Sequence, residues 1–132
     1  VLLDHHASIN EKDSSGCIPL HIACEQDHNS VVISYLLEHG ALVNDKNYSK
    51  RTPLHLVCQF SNNLKSIQVL LDHHAFINAK DEHHRTPLHI ACEQRANSNV
   101  IRFLLLHGSN VHDKSNYTET PLHLACQFSN NL

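Results

Sequence analysis

Glycine is scarce in this chain, three residues in 132. That leaves no glycine-rich loop able to cradle a phosphate, and nothing marks a nucleophile elbow. No apolar run approaches the roughly 20 residues that a membrane-crossing helix needs, and no charged-then-apolar leader opens the chain. C-x-x-C and H-E-x-x-H spacings are both missing, although the chain holds 5 Cys and 14 His, so the usual zinc signatures are absent. Positive charge is not in excess: 10 Lys and Arg against 13 Asp and Glu give a net −3. This argues against nucleic acid or an anionic membrane surface as partner. With 41% hydrophobic residues, the sequence is neither a disordered tail nor a collagen-like segment.

What the sequence does have is a repeat. Pro19, Pro53, Pro87 and Pro121 are each 34 residues apart. They sit in one recurring phrase, Ile18-Pro-Leu-His21 and then Thr-Pro-Leu-His at Thr52–His55, Thr86–His89 and Thr120–His123. Cys24, Cys58, Cys92 and Cys126 keep the same 34-residue register. A second period lies on top of the first: residues 51–64 match 119–132 at 12 of 14 positions. Alternate units are the closer relatives, which implies duplication of a 68-residue block.

One unit shows why such a chain must stack. Thr52 before Pro53 is a helix start, a hydroxyl cap followed by a residue whose missing N–H costs nothing there. Leu54, Leu56, Val57 and Cys58 give a short helix, Ser61-Asn62-Asn63 is turn chemistry, and Leu64, Ile67, Val69, Leu70 and Leu71 predict a second helix. His73-His74 closes that helix, and 75–85 reads as an extended loop or hairpin. Neither helix is long enough to persist alone in water. Each buries its apolar face only by packing on the next unit.

The Thr-Pro-Leu-His-x-Ala phrase, the Leu-Leu-x-His-Gly-Ala ending at Leu36–Ala41 and the pair Val43-Asn44 resemble the ankyrin repeat, a helix–turn–helix–loop unit of about 33 residues. The resemblance implies an all-α fold, an ankyrin-repeat solenoid of stacked helix-turn-helix units with hairpin-like loops. Residues 1–132 then form a single array: a partial repeat at 1–17, full repeats at 18–51, 52–85 and 86–119, and a partial repeat at 120–132. Both ends fall inside a unit without a polar cap, which implies a fragment of a longer array. The unit is one residue longer than usual, and the extra residue is expected in the turn between the helices. Ile18 replaces a capping Thr, at an expected cost of about 1 kcal/mol. His6 and His74 stand where Gly40 and Gly108 close the other helices, and Lys50, His84 and Thr118 stand where Gly16 forms the loop tip. The glycine shortage is drift within a repeat.

The histidine and cysteine excess dissolves the same way. His21, His55, His89 and His123 belong to the Pro-Leu-His phrase, where the resemblance implies hydrogen bonds bridging loops. His5, His39, His73 and His107 end the second helices, where a donor suits the negative end of the helix dipole. His6, His28, His74, His83, His84 and His112 are left over. The pairs His73-His74 and His83-His84 are the best metal candidates, but adjacent residues rarely converge on one ion, so no metal site is expected. Four cysteines share one position and read as buried apolar side chains too far apart to bridge. Cys17 stands where Arg51, Arg85 and Glu119 stand in the other loops and is expected to be exposed. Reduced thiols point to the cytoplasm or nucleus. Asp45, Asp81 and Asp113 fall in polar loops and read as solvated. No catalytic constellation is expected, and no cofactor.

Function is expected to be a protein–protein interaction module or scaffold. The resemblance implies a concave surface made of loop tips and first helices, with a protein partner and no small-molecule substrate, nucleic acid or membrane insertion. The tip residues are Ser14, Ser15 and Cys17; Tyr48, Ser49 and Arg51; Glu82, His83 and Arg85; Asn116, Tyr117 and Glu119. Glu25, Gln26, Gln59, Phe60, Glu93, Gln94, Gln127 and Phe128 are the helix residues. Tyr48, Ser49, Arg51, Phe60, Glu82, His83, Arg85, Gln94, Tyr117 and Glu119 are the candidate contacts, since aromatics and arginine dominate binding hot spots. Phe60 and Phe128 have an alternative role, packing under the inter-helix turn. Two other functions stay open. The family's known asparaginyl hydroxylation would fall on Asn10, Asn44 and Asn78, with His112 replacing the last. A histidine-rich metal- or pH-responsive surface is the other.

Overall fold

The computed structural model describes residues 1–26, 30–94 and 98–128. Among the described residues a 3₁₀ turn at Leu3–His5 is followed by seven helices: α1 (Pro19–Glu25), α2 (Val31–Glu38), α3 (Pro53–Phe60), α4 (Leu64–Asp72), α5 (Pro87–Glu93), α6 (Ser98–Leu106) and α7 (Pro121–Gln127). No strand occurs among the described residues. The four repeat prolines are the first residues of α1, α3, α5 and α7.

The helices lie in two rows. α1, α3, α5 and α7 pack side by side in the first, and α2, α4 and α6 in the second. Each first-row helix also packs on the second-row helix that follows it, α1 on α2, α3 on α4 and α5 on α6. One shared core runs between the rows. Leu20, Leu54 and Leu88 fill equivalent places in it, as do Ile33 with Ile67, and Cys24 with Cys58 and Cys92. Burying each leucine is worth about 2 kcal/mol. Leu122 holds the same register position on α7, the last described helix, and is 62% exposed. A helix of this kind is buried only by its neighbour.

Capping follows the sequence. The hydroxyls of Thr52, Thr86 and Thr120 accept from the backbone N–H of His55, His89 and His123, each at 3.4 Å. In return the ring Nδ1 accepts the threonine N–H at 3.1 Å. Ile18 lacks the hydroxyl, yet its N–H still donates to Nδ1 of His21 at 3.0 Å. Its side chain is fully buried, so lost capping is offset by apolar burial of similar size. Between α3 and α4, Asn63 Oδ1 caps the second helix through Lys65 N–H at 3.1 Å. The equivalent turns at 27–29 and 95–97, with His28, lie outside the described residues.

The second helices end on histidine. Nδ1 of His39, His73 and His107 donates to the carbonyl four residues earlier, at 2.8, 3.0 and 2.7 Å. That satisfies one of the orphaned carbonyls at each helix end. His6 and His74 take the left-handed conformation beyond, with φ of 66° and 69°, as Gly40 and Gly108 do at 95° and 97°.

Candidate functional site

The loops between units are built on one side-chain oxygen each. Asp13 Oδ1 accepts the N–H of Ser15 and of Cys17, both at 2.9 Å. Asn47 Oδ1 accepts Ser49 and Arg51 at 3.0 and 3.1 Å. Asp81 Oδ1 accepts His83 and Arg85, both at 2.9 Å, and Ser115 Oγ accepts Tyr117 and Glu119 at 3.2 and 3.3 Å. The residue at each tip, Gly16, Lys50, His84 or Thr118, is left-handed with φ between 57° and 74°. Neighbouring tips are joined by backbone bonds: Tyr48 N–H to Ser15, Glu82 N–H to Ser49 and Asn116 N–H to His83, at 3.1, 3.0 and 2.8 Å. The tips therefore form one continuous, pre-ordered edge.

Asp81 is the centre of the charged part of that edge. It is 2% exposed, so its reading as a solvated loop charge is corrected. Its second oxygen faces Arg51 Nε at 3.4 Å and Arg85 Nε at 3.5 Å, the latter an ion pair without hydrogen-bond alignment. Burial alone pushes the Asp81 carboxyl up, but the N–H groups of Arg85 and His83 and then the Arg85 charge outweigh it and hold it below the ordinary value. Arg85 Nη1 continues to Glu93 Oε1 at 2.8 Å, and Arg51 Nη1 donates to Gln59 Oε1. Asp45 and Asp113 remain half-buried in the loops.

Above this network lies a groove of about 300 Å³ between tips and first helices. Ser49, Arg51, Phe60, Glu82, His83 and Arg85 line it, with Glu25, Asn47, Leu56 and Gln59. Asn47 and Leu56 were not anticipated; the 34-residue spacing of Asn47 from Asp81 was the signal available. Tyr48, Gln94, Tyr117 and Glu119 are not among the lining residues. Tyr48 is 69% exposed, its ring laid over Gly16, where an added Cβ would meet Cδ1 at 2.6 Å. The Tyr117 ring stands 6.2 Å from that of His83. Gln94 and Glu119 are half-buried. Phe60 is 55% exposed and faces the groove, so it does not pack beneath the inter-helix turn; Phe128 is exposed as well.

A family model described as ankyrin repeats in three copies matches residues 1–81, and one described as ankyrin repeats in many copies matches residues 70–125. The chain belongs to the ankyrin-repeat family. No curated protein matches it. Ankyrin repeats are generally protein-interaction modules.

Histidine and asparagine side chains of this ankyrin array join one unit to the next. Nε2 of His55 and His89 donates to the carbonyls of Arg85 and Glu119 at 2.9 and 3.0 Å, and that of His21 is shared between Asp45 and Arg51 at 3.0 and 3.1 Å. Burial lowers the His55 imidazole to about 4, against the pull of the Arg85 carbonyl. The loop asparagines reach across in the same way. Asn44 Nδ2 donates to the His74 carbonyl at 3.0 Å while its Oδ1 accepts Phe76 N–H at 2.8 Å. Asn10 and Asn78 repeat the arrangement on Gly40 with Leu42, and on Gly108 with Asn110. They hold neighbouring units, rather than only their own turn.

Cys17 is a second correction. It is 5% exposed, because Asn47 closes over it with Nδ2 at 3.7 Å from Sγ. Burial raises the Cys17 thiol, the Asn47 hydrogen bond partly opposing this, and burial pushes Cys92 up to about 12. Cys126, the equivalent on α7, is exposed. Among the described residues no group of three or more His, Cys, Asp or Glu is placed to hold a metal ion. No described helix is long and apolar enough to cross a membrane.

Proposed function

We propose that this array, running over residues 1–132, binds a partner protein through the concave surface of its loop tips and first helices. The observation that carries the reading is the exposed Phe60 in a groove whose walls are already fixed by the Asp81 ion pairs and the bonded tip edge. A large aromatic held open beside arginines is the composition of a hot spot. A surface ordered before binding loses little conformational entropy on binding. Its role is recognition rather than catalysis, with no cofactor. None of the five cysteines is in a disulfide, which supports a reducing compartment, the cytoplasm or nucleus. This reading makes no use of hydroxylation of the loop asparagines, nor of a metal.

The test is a binding assay on partners captured by the folded array. Tyr48→Ala with Phe60→Ala should abolish capture while helical content stays unchanged. Leu106→Ala, on the second-helix row and 78% exposed, should leave it intact. The opposite pattern would place the binding surface on the other face.

A further inference from the structure

Each unit carries, eight residues apart, a loop-tip residue and a first-helix residue in the same register: Cys17 and Glu25, Arg51 and Gln59, Arg85 and Glu93, Glu119 and Gln127. In the third pair the guanidinium and carboxylate meet at 2.8 Å, and in the second the arginine donates to the glutamine oxygen. The first pair keeps the glutamate but has lost its arginine to cysteine. Glu25 ends α1, is half-buried, and among the described residues no cation pairs with it. Its charge is felt at the Cys17 thiol, where burial, the opposing Asn47 hydrogen bond and Asp13 act more strongly. Glu25 holds in its unit the register position that Glu93 holds against Arg85.

Among the described residues that line the groove none is placed to supply that cation, and His83 lies against Glu82. Arg51, also in its lining, is committed to Asp81 and Gln59, and Arg85 to Asp81 and Glu93. A planar guanidinium with two donors is the group that matches a carboxylate best. The 300 Å³ groove that Glu25 lines is also lined by Phe60, an apolar surface for an arginine stem, and by Glu82, a second carboxylate. A guanidinium also gains from lying against an aromatic face.

We infer that Glu25 receives an arginine from the partner, so that this array recognises a protein segment presenting an arginine beside an apolar side chain. This rests on the concave surface proposed above. It specifies the chemistry at one end of that surface, where the partner completes in trans the ion pair that the third unit makes in cis.

The experiment uses the whole chain and two fluorescein-labelled peptides, one alternating arginine with leucine and one with glutamine at every arginine. Anisotropy titration should show the arginine peptide binding about tenfold more tightly. Glu25→Gln should remove that preference, and Cys17→Arg, which restores the guanidinium in cis, should remove it too. Glu38→Gln, an exposed carboxylate at the end of α2, should leave it in place. Circular dichroism checks folding, and if Cys17→Arg does not fold, Glu25→Gln decides alone. Equal binding of both peptides, no binding of either, or equal weakening by Glu25→Gln and Glu38→Gln would each overturn the inference. If both peptides bind equally but lose binding in Phe60→Ala, the concave surface stands and only the arginine assignment falls. If Tyr48→Ala and Phe60→Ala leave peptide binding untouched, the surface itself is wrong.

Discussion

His55 donates from Nε2 to the carbonyl of Arg85 at 2.9 Å, across the boundary between two units. Its other nitrogen accepts the N–H of Thr52 at 3.1 Å, so the ring is held neutral with its only proton on Nε2. A second proton would have to enter where a donor already points, inside a fully buried site.

Stability should therefore depend on pH in a defined window. Unfolded His55 takes a proton near 6.5, whereas in the fold this waits until about 4. Between those values the unfolded chain holds the extra proton, so the contribution is complete above 6.5 and is lost as pH falls towards 4. The size is about 3 kcal/mol, and burial lowers His21 in the same direction. Urea unfolding at a series of pH values should show this decline. His55→Gln should lower stability at neutral pH and flatten the slope.

Asp81 acts at lower pH. Its carboxyl lies below the ordinary value, so its stabilisation is present above the unfolded pKa, near 3.8, and is lost as pH falls through the folded one. Asp81→Asn should cost only about 1 kcal/mol, because Asn47 closes the preceding loop with the same oxygen geometry. Asp81→Ala should cost about 3 kcal/mol, since it removes the loop acceptor of two backbone N–H groups as well as the charge that both variants lose. Equal losses in the two variants would show that the ion pairs, and not the loop closure, dominate.

The loop tips should reward glycine and punish its removal. Lys50 and His84 sit at φ 57°, a region that costs a side-chain-bearing residue about 1 kcal/mol or more. Lys50→Gly and His84→Gly should each gain about 1 kcal/mol, read as a higher urea midpoint at constant slope. Gly16→Ala should lose a similar amount, about 1–2 kcal/mol, and displace the Tyr48 ring that lies against it.

The two corrected residues share a cause. Asp81 and Cys17 read as exposed because each sits in a polar loop. Each is buried by a side chain from a neighbouring unit, Arg51 over Asp81 and Asn47 over Cys17, both 30 residues away. The asparagine bonds from Asn10, Asn44 and Asn78 span 30 and 32 residues. A loop viewed inside its own unit has none of these partners.

What the sequence determined alone was everything local to one unit. Thr-Pro starts each first helix after α1, the apolar spacing turns α3 and α4 towards one core, and histidine or glycine closes the second helices. Those signals act over a few residues, and repetition at 34 made the solenoid follow from them. Tertiary structure decided the burial of Asp81 and Cys17, the exposure of Phe60, and the contrast between paired Glu93 and Glu25. Each depends on which side chain the next unit brings across, and on the charge and space left when it brings none.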